Sequence, residues 1–328
     1  MVSLAPSFPR APRFIEIAFC CDDAYVQPLT AAIASVIATA QEPHRLRFWL
    51  LSKTLREPAI RNLRAHVEAS GACLMLQDVS RVNRSFTGVP LHGYLSEAGY
   101  YRLLLPEMLP ADCERVLYLD CDLIVCRPIE ELWSVDLQGC STAAVQKPRA
   151  ENFRAVGLRS EEEYFNSGVM LLDLVRWRRD RLHEQALTYA LRHPRLQFHD
   201  QDALNAVIRG HWHRLDPRWN QQFRIFKFNS GYLHLPSHEL QRLRRDPFIV
   251  HYTTASKPWH FDNDHPLRDR YFEALDRTHY RGWRPPVPGL RKWLRRATRQ
   301  ILPHHLRPKV MRQMYRPHFH ALLALLHL

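Results

Sequence analysis

The stretch Val116-Leu117-Tyr118-Leu119-Asp120-Cys121-Asp122 decides how this chain is read. Four apolar, strand-favouring residues run straight into two carboxylates spaced i, i+2, the pattern of a buried strand that delivers paired oxygen ligands at its carboxyl end. Open α/β sheets keep their ligands at that end. The pair suits a divalent cation, Mg²⁺ or Mn²⁺, because these ions favour carboxylate and phosphate oxygens. The same Asp-x-Asp form recurs at Asp200-Gln201-Asp202 and Asp262-Asn263-Asp264, and acidic pairs commonly cap helices or sit in solvated turns. Position separates the three. Only Asp120 and Asp122 follow a clearly apolar strand, whereas Asp200 opens a helical pattern (Ala203, Leu204, Val207, Ile208) and Asp262 lies in a polar loop.

Towards the amino terminus the chain alternates strand and helix signals. Residues 14–19 read as a strand, 28–39 as a helix with Leu29, Ile33, Val36 and Ile37 at helical spacing, 46–51 as a second strand, 57–69 as a helix, and 72–76 as a third strand. A βαβαβ start implies a parallel, Rossmann-like sheet. No Gly-x-Gly-x-x-Gly follows the first strand, which argues against a dehydrogenase-type dinucleotide site. The strand ends instead in Cys20-Cys21-Asp22-Asp23. Those carboxylates can hydrogen-bond a ribose or base, or cap the following helix. Just before the central strand, 97–109 reads as a helix carrying Tyr101 and Arg102; beyond it, 140–145 and 164–173 read as strands, 176–192 as a helix, His199 to Asp202 as the cap of the next helix, and 248–252 as a late strand.

Composition narrows the function classes. The 328 residues are 46% hydrophobic, ample for a core, and the net charge is +13. Residues 277–328 hold twelve Lys/Arg and no Asp or Glu, so subtracting twelve from +13 leaves about +1 for everything before them. That distribution argues against a nucleic-acid footprint on the body. Seven cysteines without paired Cys-x-x-Cys spacing point to buried reduced thiols. Residues 1–13 have no apolar core of a signal peptide, and no apolar run is long enough to span a bilayer. The expectation is a cytoplasmic protein.

Six motifs in order, Ala18-Phe19-Cys20-Cys21-Asp22-Asp23, Tyr101-Arg102-Leu103, Leu117 to Asp122, Tyr164-Phe165-Asn166-Ser167-Gly168-Val169, Asp200-Gln201-Asp202-Ala203-Leu204-Asn205, and His251-Tyr252 with Lys257-Pro258-Trp259, resemble the retaining glycosyltransferases of family 8. The nearest likeness is to bacterial lipooligosaccharide and lipopolysaccharide α-galactosyltransferases, and it runs from Phe14 to about Trp283. The resemblance implies an α/β fold of GT-A type, a Rossmann-like mixed sheet flanked by helices. It implies a hexosyltransferase that uses a UDP-hexose donor (galactose or glucose), Mn²⁺ and a glycan or glycolipid acceptor.

Carried over by position, Asp120, Asp122 and His251 would hold the metal. Cys20, Asp22, Arg102, Asp120, Cys121, Asp122, Thr254 and Lys257 would contact the donor, with Asp22 at its nucleoside end and Lys257 on the diphosphate. For Arg102 the bare sequence, without the resemblance, favours a surface cation on a helix. Asn166, Asp200 and Gln201 would surround the anomeric carbon, with Gln201 either nucleophile or stabiliser of positive charge; its weak nucleophilicity favours same-face attack. Three positions depart from the family: Ala24 where a polar residue is common, Thr254 where a glycine is common, and Lys147 where some relatives carry an acidic residue facing the acceptor.

The domain expectation is a catalytic unit over 1–275 and a basic amphipathic tail over 276–328. In the tail, Leu290, Trp293, Leu294, Ala297 and Ile301 share one helical face and Arg291, Lys292, Arg295, Arg296 and Arg299 the other. Such a helix fits an anionic membrane surface, peripheral on the cytoplasmic face, or packs on the body with its charges solvated. The competing functional class is a non-catalytic binder of sugar nucleotides, or of nucleic acid through the tail.

Overall fold

The structure, a computed structural model, describes residues 14–53, 55–82, 89, 96–287 and 289. The amphipathic segment expected at 290–301 lies outside the described residues.

The opening alternation folds as its periodicity requires. Strands β1 (Ile15–Cys20), β2 (Leu46–Ser52) and β3 (Cys73–Asp78) pair in parallel, connected by helices Val26–Thr39 and Glu57–Glu68. The central strand β4 (Arg115–Leu119) joins β1 in parallel. The turn at Asp120-Cys121-Asp122 then carries the chain out of this sheet into β5 (Leu123–Val125). The remaining strands are β6 (Thr142–Gln146), β7 (Phe165–Asp173), β8 (His213–Arg214), β9 (Gln221–Gln222) and β10 (Ile249–His251).

Seven strands form one mixed sheet, ordered β3-β2-β1-β4-β7-β6-β8, and β5-β10-β9 form a second, small sheet. β7 runs antiparallel to both neighbours, β4 and β6. One face of the large sheet packs on the two opening helices through Ile17, Phe19, Phe48, Leu50, Leu117 and Leu119. The alternate residues, among them Ala18, Trp49, Val116, Tyr118, Met170 and Leu172, pack on the later helices. Strand alternation sets this division, since neighbouring side chains leave opposite faces. Helix Val26–Thr39 is buried along most of its length because it fills the gap between the sheets: the Val125 N–H donates to Ser35 Oγ (2.9 Å), and the helix also packs on Arg268–Leu275.

Three expected elements differ. Residues 97–109 form a 3₁₀ run, Glu97–Leu104, followed by one helical turn, Leu105–Met108. Pro106 lacks the N–H that a continuous α-helix would use, and Tyr100 through Leu105 are all buried, so no polar face remains for an amphipathic helix. The helix expected over 176–192 divides into Leu174–Arg179 and Leu182–Arg192 at Arg181, whose φ is +51°. Arg178 anchors the first piece by donating to the carbonyls of Pro106 (2.8 Å), Cys113 (3.0 Å) and Pro110 (2.9 Å), which also fixes the approach to β4. The helix His199–Ile208 takes Phe198 as its N-cap residue, without a side-chain cap; the Asp202 carboxylate accepts from the Phe198 N–H instead (2.8 Å). Asp200 is therefore released from capping.

Past Leu275, Tyr280 and Trp283 pack against the cluster of Tyr252, Tyr271 and Phe272, and Arg284 pairs with Asp276 (2.7 Å). No described helix is long and apolar enough to cross a membrane.

Candidate active site

Strand pairing brings distant residues to the acidic turn. The Asp120 N–H donates to Gly168 O (2.8 Å), extending the β4–β7 ladder, and the Tyr252 N–H donates to Asp122 O (3.0 Å), extending β5–β10. The β6–β7 register shifts between Ala144, opposite Met170, and Val145, opposite Asn166. That irregularity frees Ser167 and Gly168 from β6 where the backbone must approach the acids. A Cβ on Gly168 would lie 2.2 Å from His251 Cε1 and 2.6 Å from Asp120 Oδ2, so only glycine fits.

His251 Nε2 faces Asp122 Oδ1 at 3.1 Å and Asp120 Oδ2 at 3.6 Å, and one donor atom from each of the three residues lies within 4.8 Å of the others. Lys257, itself buried, donates to Asp122 and to Tyr252 O (2.7 Å). Burial opposes ionisation of Asp122, but Lys257 and His251 outweigh it and hold the carboxyl well below its usual range. Two carboxylates and an imidazole nitrogen form a donor set that suits Mn²⁺.

A chain of hydrogen bonds fixes the orientation of these groups. His251 Nδ1 meets Asn220 Oδ1 (2.8 Å), Asn220 Nδ2 donates to Asn166 Oδ1 (2.8 Å), Asn166 Nδ2 to Gln201 Oε1 (2.8 Å), and Gln201 Nε2 to Tyr164 Oη (2.9 Å). The Tyr164 hydroxyl donates to Asp202, which also accepts from Asn152 Nδ2 (2.6 Å). Because the terminal carboxylate only accepts, each preceding amide must point its NH₂ towards it. His251 then donates from Nδ1, which leaves Nε2 directed at Asp120 and Asp122, where it can hold a proton against the carboxylates or, without that proton, ligate a metal.

Arg102 is no surface cation. It is buried, with Nη2 on Asp120 Oδ1 (3.0 Å), Nε on Asp200 Oδ2 (3.1 Å) and Nη1 on Ser167 O (2.8 Å), and its guanidinium lies over the Tyr118 ring. Tyr118 also donates to Asp120 Oδ1 (2.7 Å). Burial pushes the Asp200 carboxyl up to about 6; Arg102 opposes that shift and the Asp120 charge adds to it.

Two cavities meet at Arg102, Asp120, Asp122 and Lys257. The smaller, about 110 Å³, runs past Cys20, Asp22, Tyr25 and Cys121. The larger, about 350 Å³, runs past Asn166, Asp200, Gln201, Lys147 and Thr254. Every site residue expected from the sequence therefore lines one connected groove at the carboxyl ends of β1 and β4. Asp22 lines this groove and also caps the next turn, accepting from the Ala24 N–H (3.1 Å). The Cys121 thiol points inward and donates to Cys20 O (3.2 Å). Asp262 and Asp264 are exposed around the buried Asn263, which ties the loop to Ser256 O (3.0 Å). A wider cleft of about 790 Å³, lined by Glu16, Arg47 and Arg115, lies at the opposite, amino-terminal ends of the strands.

Sequence reasoning missed Asn220, Tyr118 and Gln222. The polar run Asn220-Gln221-Gln222 inside an otherwise apolar neighbourhood was the available signal, and all three residues are buried.

A family model, glycosyl transferase family 8, matches residues 16–263. General stress protein A of Bacillus subtilis is 27% identical over 275 residues, covering 82% of this chain and 96% of that protein. Lipopolysaccharide 1,2-glucosyltransferase of Escherichia coli is 25% identical over 298 residues, 89% of this chain and 86% of the other. Among solved structures, the galactosyltransferase LgtC in complex with donor and acceptor sugar analogs superposes with a TM-score of 0.70 at 28% identity, over 86% of this chain and all of that one.

Proposed function

Because this chain belongs to glycosyltransferase family 8, we propose that it transfers a hexose, galactose or glucose, from a UDP-sugar to a lipopolysaccharide- or lipooligosaccharide-type glycan with retention at the anomeric carbon. The convergence of His251, from β10, with Asp120 and Asp122 of the acidic turn carries this reading. The similarity of this chain to the Escherichia coli lipopolysaccharide 1,2-glucosyltransferase and to the galactosyltransferase LgtC supports the substrate class.

The nucleoside would lie along Cys20, Asp22 and Tyr25, and the sugar along Asn166, Asp200 and Gln201. Asp120, Asp122 and His251 would hold Mn²⁺, whose charge, when bound, favours departure of the diphosphate. Lys257 and the backbone around Thr254 would cover the diphosphate, where a buried cation favours developing negative charge. An acceptor hydroxyl oxygen forms the new bond to C1 while the C1–O bond to UDP breaks. Its electron pair goes to the diphosphate oxygen, which takes the acceptor proton.

Gln201 Oε1 accepts from both Asn166 Nδ2 (2.8 Å) and the Ser167 N–H (3.2 Å). Its lone pairs are thus engaged, which favours same-face attack over a Gln201 nucleophile. Asp200, beside Arg102, stabilises positive charge at C1. The basic residues beyond 288 would attach the enzyme to an anionic membrane surface, peripheral on the cytoplasmic face, where lipid-linked acceptors are made.

The test is UDP release from UDP-galactose and UDP-glucose in the presence of Mn²⁺. Turnover should vanish in Asp120→Ala and Asp122→Ala; unchanged turnover in both variants sinks the proposal.

A further inference from the structure

Lys147 directly follows β6, and its N–H donates to Tyr164 O (3.0 Å), continuing the ladder and setting the position of its side chain. The residue is only 6% exposed, and among the described residues no hydrogen-bond acceptor reaches its Nζ. The ammonium sits 3.2 Å from the centroid of the Phe198 ring and 5.2 Å from that of Tyr164. An aromatic face compensates a buried cation only in part, because an ammonium brings donors that a ring satisfies poorly. Burial, with a contribution from Arg224, pushes the Lys147 amine down to about 7.

The nearby acids are committed elsewhere. Asp202 accepts from Tyr164, Asn152 and the Phe198 N–H. Glu151 forms a bidentate pair with Arg224 (2.8 and 3.1 Å). Lys147 and Arg224 line the same 350 Å³ cavity as Asn166, Asp200 and Gln201. Phe198, partly exposed, covers the ammonium, and a ligand reaches it by displacing that ring.

We propose that Lys147, with Arg224 beside it, receives an anionic substituent, a carboxylate or phosphate, carried by one of the two sugars that meet in this cavity. The proposal rests on the transferase reading and bears on its substrate class: a charged acceptor sugar narrows that reading, whereas a charged donor sugar would replace the galactose or glucose it names. Phe198 holds the cation in the absence of that group, and the anion replaces the ring as partner.

Two arms separate the sources. In the donor arm, calorimetry with Mn²⁺ compares UDP-glucuronate and UDP-galacturonate with UDP-glucose and UDP-galactose on the full chain. In the acceptor arm, kcat/KM is compared for glucosides and galactosides against their 6-phosphates and the matching uronosides. The charged member of one arm should be favoured by about tenfold or more. That preference should fall to parity in Lys147→Met and persist in Lys147→Arg. Lys147→Gln serves the same comparison if the Met variant melts early. Parity in both arms for the parent chain overturns the proposal without any variant, as does a preference that survives Lys147→Met or Lys147→Gln. Failure of the transferase reading is distinct: no donor would release UDP in an Asp122-dependent way, while donor binding would still report the preference.

Discussion

Replacing Gly168 with alanine adds one methyl group at the tightest point of the site. The new Cβ would meet His251 Cε1 at 2.2 Å, and ordinary contact begins at 3.4 Å, so the imidazole must withdraw by about 1.2 Å (3.4 minus 2.2), or Asp120 and the strand must move instead. Metal–ligand bonds tolerate deviations of only about 0.2 Å, so at least one ligand is lost. Mn²⁺ affinity should fall on the order of 100-fold, the upper end of what indirect disruption of a ligand costs. Overpacking should cost the fold only about 1–3 kcal/mol, which for a chain of this size lowers Tm by about 2–4 °C per kcal/mol. Titration of Mn²⁺ in the presence of UDP reads the first effect, and a melt without metal reads the second. A Gly168→Ala protein that binds Mn²⁺ and UDP within about twofold of the parent refutes the proposed ligand set.

Other outcomes follow from the same geometry. Asp202→Asn lets an NH₂ face the Tyr164 hydroxyl and breaks the polarity of the chain that ends at His251; kcat for donor turnover should fall by about 10- to 100-fold, and an unchanged kcat argues that the chain is only structural. Asp200, with its carboxyl at about 6 against 3.8 for an ordinary aspartate, gives a rise in kcat/KM through about pH 6 that Asp200→Asn removes. Its folded value lies above the unfolded one, so the native state holds the extra proton between about pH 4 and 6, and stability without metal should decline across that window as pH rises. A flat denaturation profile there contradicts the assignment. Lys257→Met leaves Asp122 without its ammonium partner and should weaken UDP binding more than free Mn²⁺ binding, measured by separate titrations. A chain ending at Val287 keeps Trp283 and the Arg284–Asp276 pair but should stop pelleting with vesicles containing phosphatidylglycerol; equal pelleting with and without residues 288–328 removes the membrane role.

Much of the fold and of the site was legible in the chain itself. Short apolar runs ending in acids specified β1 and β4, and helical spacing specified Val26–Thr39, because burial on a sheet or helix face constrains which positions can be polar. The ordered motifs named the residues that line the groove, from Asp22 to Lys257. What the sequence could not express was partnership across the chain. Arg102 reads from its neighbours as a solvated cation, and only the 3₁₀ run turns it inward onto Asp120 and Asp200, contacts set by packing rather than by neighbours in sequence. Asn220 sits in a short polar run without periodicity, and its link from His251 to Asn166 exists only because β9, β10 and β7 converge. Gly168 stands out as a residue, but the 2.2 Å approach that forbids a side chain belongs to the antiparallel pairing of β7 with β4. Local pattern decides which elements form; only their assembly decides which polar groups are left facing one another, because that depends on backbone distances between segments that the pattern does not encode.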